Sequence, residues 1–500
     1  MQPKPPDVFD RDSEWTDLAE FAGSELAGLR IAVVYGRRRQ GKSYLLRRLA
    51  EATGGLYHLA TEQTEAVSVR RFADSLTAWL GLQAGALAFG GWEAALDSAT
   101  GLLAERAVLA GPALLILDEF PYLSRETPGL PSIVQGLYDR IGPGSTTTKA
   151  RLRMVLCGSA ISVMAELLAG TRALRGRAAL ELKVRPFGYR EARAYWEIDD
   201  VAAAFAHNAL VGGTPGYRDL VGEPEFPEQP ARIGEWMARN VLRPTVPLFA
   251  EGGRVVHEDP RIRDTAIYAS LMGAIAAGES SPAKIGGLLG RPSSSLTYQL
   301  GMLESAGFIE RHHDMILDRR PLITVADPLV RLHHLVIEPY LADLEAGQAR
   351  QVWEEAAHTV NSKILGPHFE RLATEWITRF ARNEAGLDAG PTGHATVACR
   401  EHRVSHEIDI LSLARGARPR HAGTAIAFVG EAKCRDRRPG LAELRRLEHI
   451  RDVLTASGHD ASGAVLGLFS TAGFTDELLA EAAKPGRHVL VAGLDRLYGQ

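Results

Sequence analysis

The sequence predicts an α/β protein of several domains, with an open parallel sheet at the N-terminal end and a second, separate α/β sheet at the C-terminal end. Three observations carry this. Leu29-Arg30-Ile31-Ala32-Val33-Val34-Tyr35 is a short β-branched run that passes directly into Gly36-Arg37-Arg38-Arg39-Gln40-Gly41-Lys42-Ser43 and then into a helical spacing of Leu45, Leu46 and Leu49. A second apolar run, Ala113 to Leu117, ends in Asp118-Glu119. In the last third, strand-like alternation at Glu407 to Leu411 and at Ile426 to Gly430 is separated by helical patterns.

Length and composition fit that architecture. A chain of 500 residues is too long for one core. The hydrophobic share of 45% and the charged share of 24% are those of an ordinary globular protein. A net charge of −4 gives no global field that would draw the chain to nucleic acid, so any such binding is local. Cys157, Cys399 and Cys434 are scattered and lack metal-ligand spacing, which reads as a reducing compartment with neither disulfides nor a zinc site. The start has no signal pattern and no apolar run approaches the ~20 residues of a membrane span. The expectation is a cytoplasmic protein with no membrane association.

The glycine loop has the context that a phosphate cradle requires: strand, loop, Lys-Ser and helix. Gly36 and Gly41 let the backbone turn so that N–H groups surround a phosphate, with Arg37, Arg38, Arg39 and Gln40 forming the loop between them. The helix start adds its positive dipole end. Lys42 reaches the β- and γ-phosphates of ATP, the Ser43 hydroxyl holds Mg2+, and Tyr44 follows as part of the same nucleotide-binding set. Asp118 binds Mg2+ through water, and Glu119 orients or deprotonates the attacking water. Met154 to Cys157 form a further strand, after which Ser159 is placed to sense the γ-phosphate or simply to cap a helix. Arg172, Arg175 and Arg177 are candidates for an arginine finger, or solvated loop residues.

These residues resemble a family. Gly36 to Ser43, Asp118-Glu119-Phe120, Gly158-Ser159 and Arg185-Pro186-Phe187 look like the archaeal-type AAA+ ATPases, close to the STAND signalling ATPases. Val211-Gly212-Gly213-Thr214-Pro215 resembles their Gly-Gly-x-Pro signature in a helical lid. The resemblance spans roughly residues 7–330. Ser43 stands where threonine is frequent, which the chemistry tolerates.

Pro244 to Pro260 reads as a linker. From Thr265 to Val325 the pattern is three helices and two short strands, a winged helix-turn-helix. Its third helix offers Ser293, Ser294, Ser295, Thr297, Tyr298 and Gln299, but no Lys or Arg lies between Pro292 and Gly307. Phosphate contacts dominate DNA affinity, so DNA and protein partners both stay open for this segment.

Beyond it, a helix carrying Glu370, then Asp409 on one strand and Glu431-Ala432-Lys433 on the next, resembles the PD-(D/E)xK nuclease fold. Asp409, Glu431 and Glu370 supply oxygen ligands for a divalent metal. Lys433 lies on the face of Glu431 and activates water. Arg435, Arg437, Arg438, Arg445 and Arg446 follow closely. The expected organisation is a P-loop core over 1–195, a helical lid over 196–250, a winged helix over 260–330, a helical connector over 331–360 and a restriction-endonuclease-like α/β domain over 361–500. The expected activity is hydrolysis of ATP with Mg2+, acting on or regulated by DNA, with metal-dependent cleavage from the C-terminal domain. The rival is a nucleotide-controlled signalling scaffold whose C-terminal domain cleaves weakly or not at all. Oligomerisation is compatible with either.

Overall fold

The computed structural model describes residues 2–500 except 147–148, 171, 255–258, 260, 263 and 319–320, and leaves the side chains of 108–110 undescribed. The chain divides into two compact units, the first formed by 1–186 with 214–216 and 258–261, the second by 187–213, 217–257 and 262–500.

The first unit is built on a five-stranded sheet in the order β2-β3-β4-β1-β5. Its strands are β1 (Gly28–Tyr35), β2 (Leu56–Leu59), β3 (Ala113–Asp118), β4 (Arg151–Gly158) and β5 (Ala178–Lys183). All neighbours run parallel. Parallel strands covered on both faces read as continuous apolar runs, and β3 is buried at every residue. Odd and even positions of β1 serve two different cores. Leu29, Ile31 and Val33 join a cluster with Phe72, Trp92 and Leu115. Ala32 and Val34 join one with Leu18, Leu46 and Val155.

Arg153 of β4 is a charged side chain buried in this unit's sheet with all its donors used. Arg153, only 1% exposed, donates to the carbonyls of Phe21, Ser24, Leu26, Gly28 and Leu152. Burial pulls its pKa down to about 10.

The second unit contains two sheets. Helices Tyr189–Tyr195, Val201–Leu210, Pro230–Asn240 and Pro247–Arg254 come first. The last of these corrects the linker expected from Pro244 to Pro260. Pro247 opens the helix, where its missing N–H costs nothing, and Leu248 and Phe249 are buried. Pro260 itself lies outside the described residues. Three helices follow, Thr265–Ala276, Pro282–Leu288 and Thr297–Ser305, and then the antiparallel pair β6 (Ile309–His312) and β7 (Leu322–Val325). Ser281 caps the second helix by accepting from Lys284 N–H. Leu271, Ile285, Leu300, Leu303 and Ile323 close a small core of their own.

The C-terminal sheet has the order β12-β11-β10-β9-β8. It comprises β8 (Ala389–Cys399), β9 (Val404–Ala414), β10 (Ile426–Lys433), β11 (Val465–Ser470) and β12 (Val489–Ala492). Strands β8, β9 and β10 pair antiparallel, whereas β10, β11 and β12 pair parallel. Alternate residues face opposite layers. Ile410 and Phe428 pack with Phe369, Leu372 and Trp376 of the helix Gly366–Arg379. Leu411 and Val429 pack with Leu444, Leu447 and Ile450 of the helix Leu441–Ala456. Segments 196–250 and 331–360 do not form separate cores: Phe205, Trp236, Leu332 and Val352 share one buried cluster with Phe369, Trp376 and Phe428.

Candidate functional site

The glycine loop leaves β1 and enters the helix Lys42–Thr53, capped by Gly41 in the left-handed region at φ 88°. A Cβ on Gly36 would lie 2.3 Å from the Val184 carbonyl oxygen, so only glycine permits the strand to turn there. Lys42 is buried, and its ammonium donates to the Arg37 carbonyl at 2.8 Å, spanning the loop from within. Arg37 and Gln40 are buried, while Arg38 and Arg39 are exposed and Ser43 is half-buried. Arg38 donates to the Tyr122 hydroxyl at 2.6 Å. The Gln40 side-chain oxygen is buried without a hydrogen-bond partner. The Tyr44 hydroxyl is taken by the Asp7 carboxylate at 2.7 Å, so this residue engages the N-terminal arm.

Strand β4 lies between β1 and β3, and so sets Ser159 between the loop and the acidic pair. Asp118 is completely buried at the end of β3. Its carboxylate accepts from the Tyr57 hydroxyl at 2.6 Å and from Glu119 N–H at 2.9 Å. Burial and the adjacent Asp118 charge push the Tyr57 phenol well above its ordinary pKa, so it stays a donor. Burial likewise raises the neighbouring Cys157 thiol. Glu119 is held at φ 52°, a left-handed conformation that is costly for a side chain of this kind. Its carboxylate accepts from the Ser159 hydroxyl at 3.0 Å. Loop lysine, buried aspartate, strained glutamate and serine therefore meet at the C-terminal edge of one parallel sheet, the place where open α/β sheets bind ligands.

Two supports of this site carry no local sequence signal. Arg11 donates to the Gln40 carbonyl at 3.2 Å and to the Arg185 carbonyl at 2.7 Å, tying the loop to the chain after β5. Gly216 N–H donates to the Arg39 carbonyl at 3.0 Å, which brings the end of the Gly212-Gly213-Thr214-Pro215 turn onto the loop. The finger candidates are engaged elsewhere: Arg172 pairs with Glu166, Arg177 with Asp139 at 2.9 Å, and Arg175 donates to the Gly170 carbonyl at 2.7 Å.

A second polar cluster occupies the C-terminal sheet. The last antiparallel pair of β9 and β10 sets Gly430 opposite Ile410, and Asp409 and Glu431 come one step later. There the Asp409 side chain replaces the backbone partner, accepting from Ala432 N–H at 3.0 Å. Glu431 is 5% exposed, and one of its oxygens accepts from both Lys433 and Arg446 at 2.6 Å. Its other oxygen is buried with no hydrogen-bond partner. Lys433 also stands 3.9 Å from Asp409. Burial raises the Asp409 carboxyl despite Lys433. Glu370, on the helix Gly366–Arg379, has a solvent-exposed side chain, yet local desolvation and the Asp409 charge push its carboxyl up to about 7. The structure thus brings Asp409, Glu431, Lys433 and Arg446 together, and sets Glu370 near enough to feel the charges of Asp409 and Lys433. Arg437 instead pairs with Glu443 at 3.2 Å.

An orphaned, buried carboxylate oxygen among three acids suits a hard divalent cation, which takes oxygen ligands. Ser43 offers a hydroxyl and Asp118 a carboxylate, oxygen donors of the kind that suit the Mg2+ of a nucleotide.

Among known proteins, a family profile described as an ATPase domain predominantly from Archaea matches residues 8–203. An uncharacterised protein of Methanocaldococcus jannaschii is 25% identical over 414 residues, covering 81% of this chain and 84% of its own length. The structure of the Walker-type ATPase of Pyrococcus abyssi is similar with a TM-score of 0.50 at 18% identity, over 66% of this chain and 97% of that one, a likeness of fold. The ORC2 protein of Aeropyrum pernix, solved as ADPNP–ADP complexes, aligns at 14% identity over 71% of this chain and 97% of that one. Its TM-score of 0.43 is too low to build on. Among the described residues no helix is long and apolar enough to cross a membrane. Loop, parallel sheet and profile agree: residues 8–203 form a P-loop domain similar to the ATPase domain found predominantly in Archaea.

Proposed function

We propose that this protein is a DNA-directed ATPase whose C-terminal sheet carries a metal-dependent phosphodiester-cleaving site of the PD-(D/E)xK kind. In the first unit, loop N–H groups and Lys42 bind the nucleotide phosphates, Ser43 and Asp118 hold Mg2+, and Glu119 takes the proton of the attacking water. When bound, Mg2+ neutralises charge on the phosphates. Ser159 holds the Glu119 carboxylate by its hydroxyl, which fixes where that base points.

In the second unit, Asp409, Glu431 and Glu370 hold a divalent cation, which polarises a phosphodiester when bound. Lys433 orients water beside them, and Arg446 holds Glu431 in place. The winged helix over 260–330 contacts the DNA backbone through its hydroxyl-bearing third helix. The observation that carries this reading is the unpartnered Glu431 oxygen beside Asp409 and Lys433. A purely structural ion pair at this strand would leave no carboxylate oxygen orphaned.

The test is Mg2+-dependent cleavage of plasmid and linear DNA by the full chain, with Asp409→Ala and Lys433→Ala beside it. Cleavage by wild type and by Lys42→Ala, but by neither C-terminal variant, is the expected result. A wild type that leaves DNA intact with Mg2+ or Mn2+ overturns the cleavage assignment. One observation favours the scaffold reading instead. The third helix of the 260–330 segment presents Tyr298 at 68% exposure, with no Lys or Arg between Pro292 and Gly307, a surface suited to a protein partner. ATP turnover indifferent to DNA would favour that reading.

A further inference from the structure

Among the described residues, a second group of metal-binding side chains lies at the β8–β9 turn, with His406 three residues before Asp409 in β9. Cys399 ends β8, His402 sits in the turn to β9, His406 lies in β9, and His449 lies on the helix Leu441–Ala456. One ligand atom from each of Cys399, His406 and His449 lies within 4.8 Å of the other two. The Cys399 sulfur is 3.3 Å from His402 Nδ1 and 3.6 Å from His449 Nε2. The His449 ring centroid is 5.1 Å from that of His402 and 5.3 Å from that of His406.

Several features of the group suit a metal ion. Cys399 is 3% exposed, and the inward His406 Nε2 is buried with no hydrogen-bond partner. A tetrahedral Zn2+ with sulfur at about 2.3 Å and nitrogen at about 2.0–2.1 Å sets its ligand atoms about 3.3–3.6 Å apart. The two distances from the Cys399 sulfur already have those values. His406 and His449 are half-buried and His402 is exposed, which leaves their imidazoles room to rotate toward the sulfur.

We propose that Cys399, His402, His406 and His449 form a closed, four-coordinate structural Zn2+ site. On binding, the Cys399 thiol gives its proton to solvent and the thiolate takes the ion, while the three imidazoles bind neutral. The ion ties the β8–β9 turn to the helix Leu441–Ala456, whose Leu447 and Ile450 flank His449 in the core beneath. This revises the expectation that the cysteines take no part in a zinc site. Spacing along the chain could not show it, because His449 lies 50 residues from Cys399 and three of the four ligands are histidines.

The experiment uses the full chain, purified without a polyhistidine tag. Metal analysis is expected to give about one zinc per chain. Cobalt added to the chelated protein is expected to give the d–d bands of a tetrahedral site together with a near-ultraviolet thiolate charge-transfer band. Cys399→Ser removes the charge-transfer band, His406→Ala and His449→Ala each weaken the binding that gives that band by about 10-fold or more, and Asp409→Asn leaves the thiolate band unchanged. That last variant separates this ion from any cation at the carboxylates. Folded wild type that shows no thiolate–cobalt band in excess cobalt overturns the site, whether or not the variants fold. So does a band that survives Cys399→Ser.

Discussion

In the all-parallel sheet of the first unit, Lys42, Glu119 and Ser159 lie just beyond the ends of strands and Asp118 at the last residue of one, whereas in the mixed sheet of the second unit Asp409, Glu431 and Lys433 lie within β9 and β10. The first arrangement relies on loop backbone. Glycines admit conformations closed to other residues, and Lys42 is held by a carbonyl of its own loop. The second relies on register. Antiparallel pairing sets Asp409 across from Glu431, period two puts Lys433 on the same face, and a neighbouring helix delivers Arg446. Loop-built sites are written in contiguous residues. Register-built sites are written in residues that become neighbours only when strands align.

The sharpest test of the contrast is to disable each site alone. Lys42→Ala is expected to lower ATP turnover about 1,000-fold, and Glu119→Gln about 100-fold or more while nucleotide binding persists, read by phosphate release and by fluorescent-nucleotide titration. Neither change should alter metal-dependent DNA cleavage in the absence of ATP. Asp409→Ala and Lys433→Ala are expected to reduce cleavage about 100-fold with ATP turnover in the absence of DNA unchanged, measured on the same preparations. A C-terminal variant that also lost DNA-free ATP turnover would show the two sites to be one functional unit.

A smaller effect probes register directly. A Cβ on Gly467 would lie 2.0 Å from Cζ of Phe428, whose ring crosses both Gly467 and Gly430. Gly467→Ala is expected to destabilise the chain by about 2–3 kcal/mol in urea unfolding, and by clearly less in a Phe428→Leu background. Equal costs in both backgrounds would show that the ring is not what requires glycine there.

The smallest effect concerns acid. His207 is fully buried, 4.3 Å between ring centroids from Trp196, and burial pulls its pKa down to about 3; His58 in the first unit is pulled to about 4. Both are neutral in the fold and protonate on unfolding below their ordinary value near 6.5. Stability is therefore unaffected above pH 6.5 and is lost as pH falls through the window toward the folded values. His207→Phe is expected to remove about 2 kcal/mol of the loss between pH 7 and pH 4.5, followed by unfolding at each pH. An unchanged acid slope would mean that the ring is already charged, or hydrated, in the fold.

The sequence made the first site legible because its strand, glycine loop and lysine are adjacent, and because a buried parallel strand leaves an unbroken apolar run before Asp118. It made the carboxylates of the second legible through strand alternation and a leading amphipathic helix. It concealed β8, since Ala389-Gly390-Pro391-Thr392-Gly393 has the composition of a turn. The strand tolerates these residues because its pairing with β9 shifts register twice and because a Cβ on Gly390 would lie 2.6 Å from the Ala414 carbonyl oxygen. Arg11, Tyr57 and Arg446 were illegible as supports for a different reason. Each acts on a residue distant in sequence, and an isolated arginine or tyrosine carries no mark of its partner.

The return of 214–216 and 258–261 to the first unit has a practical consequence for anyone who would isolate the ATPase. Gly216 bonds the phosphate loop, Asp259 accepts from Ser162, and Arg261 pairs with Glu166. A fragment cut at residue 203, where the sequence family ends, would discard every one of these ties while keeping all five strands. The boundary by which such proteins are recognised is therefore not a boundary at which this one can be divided, and gene fusions or truncations should be placed elsewhere.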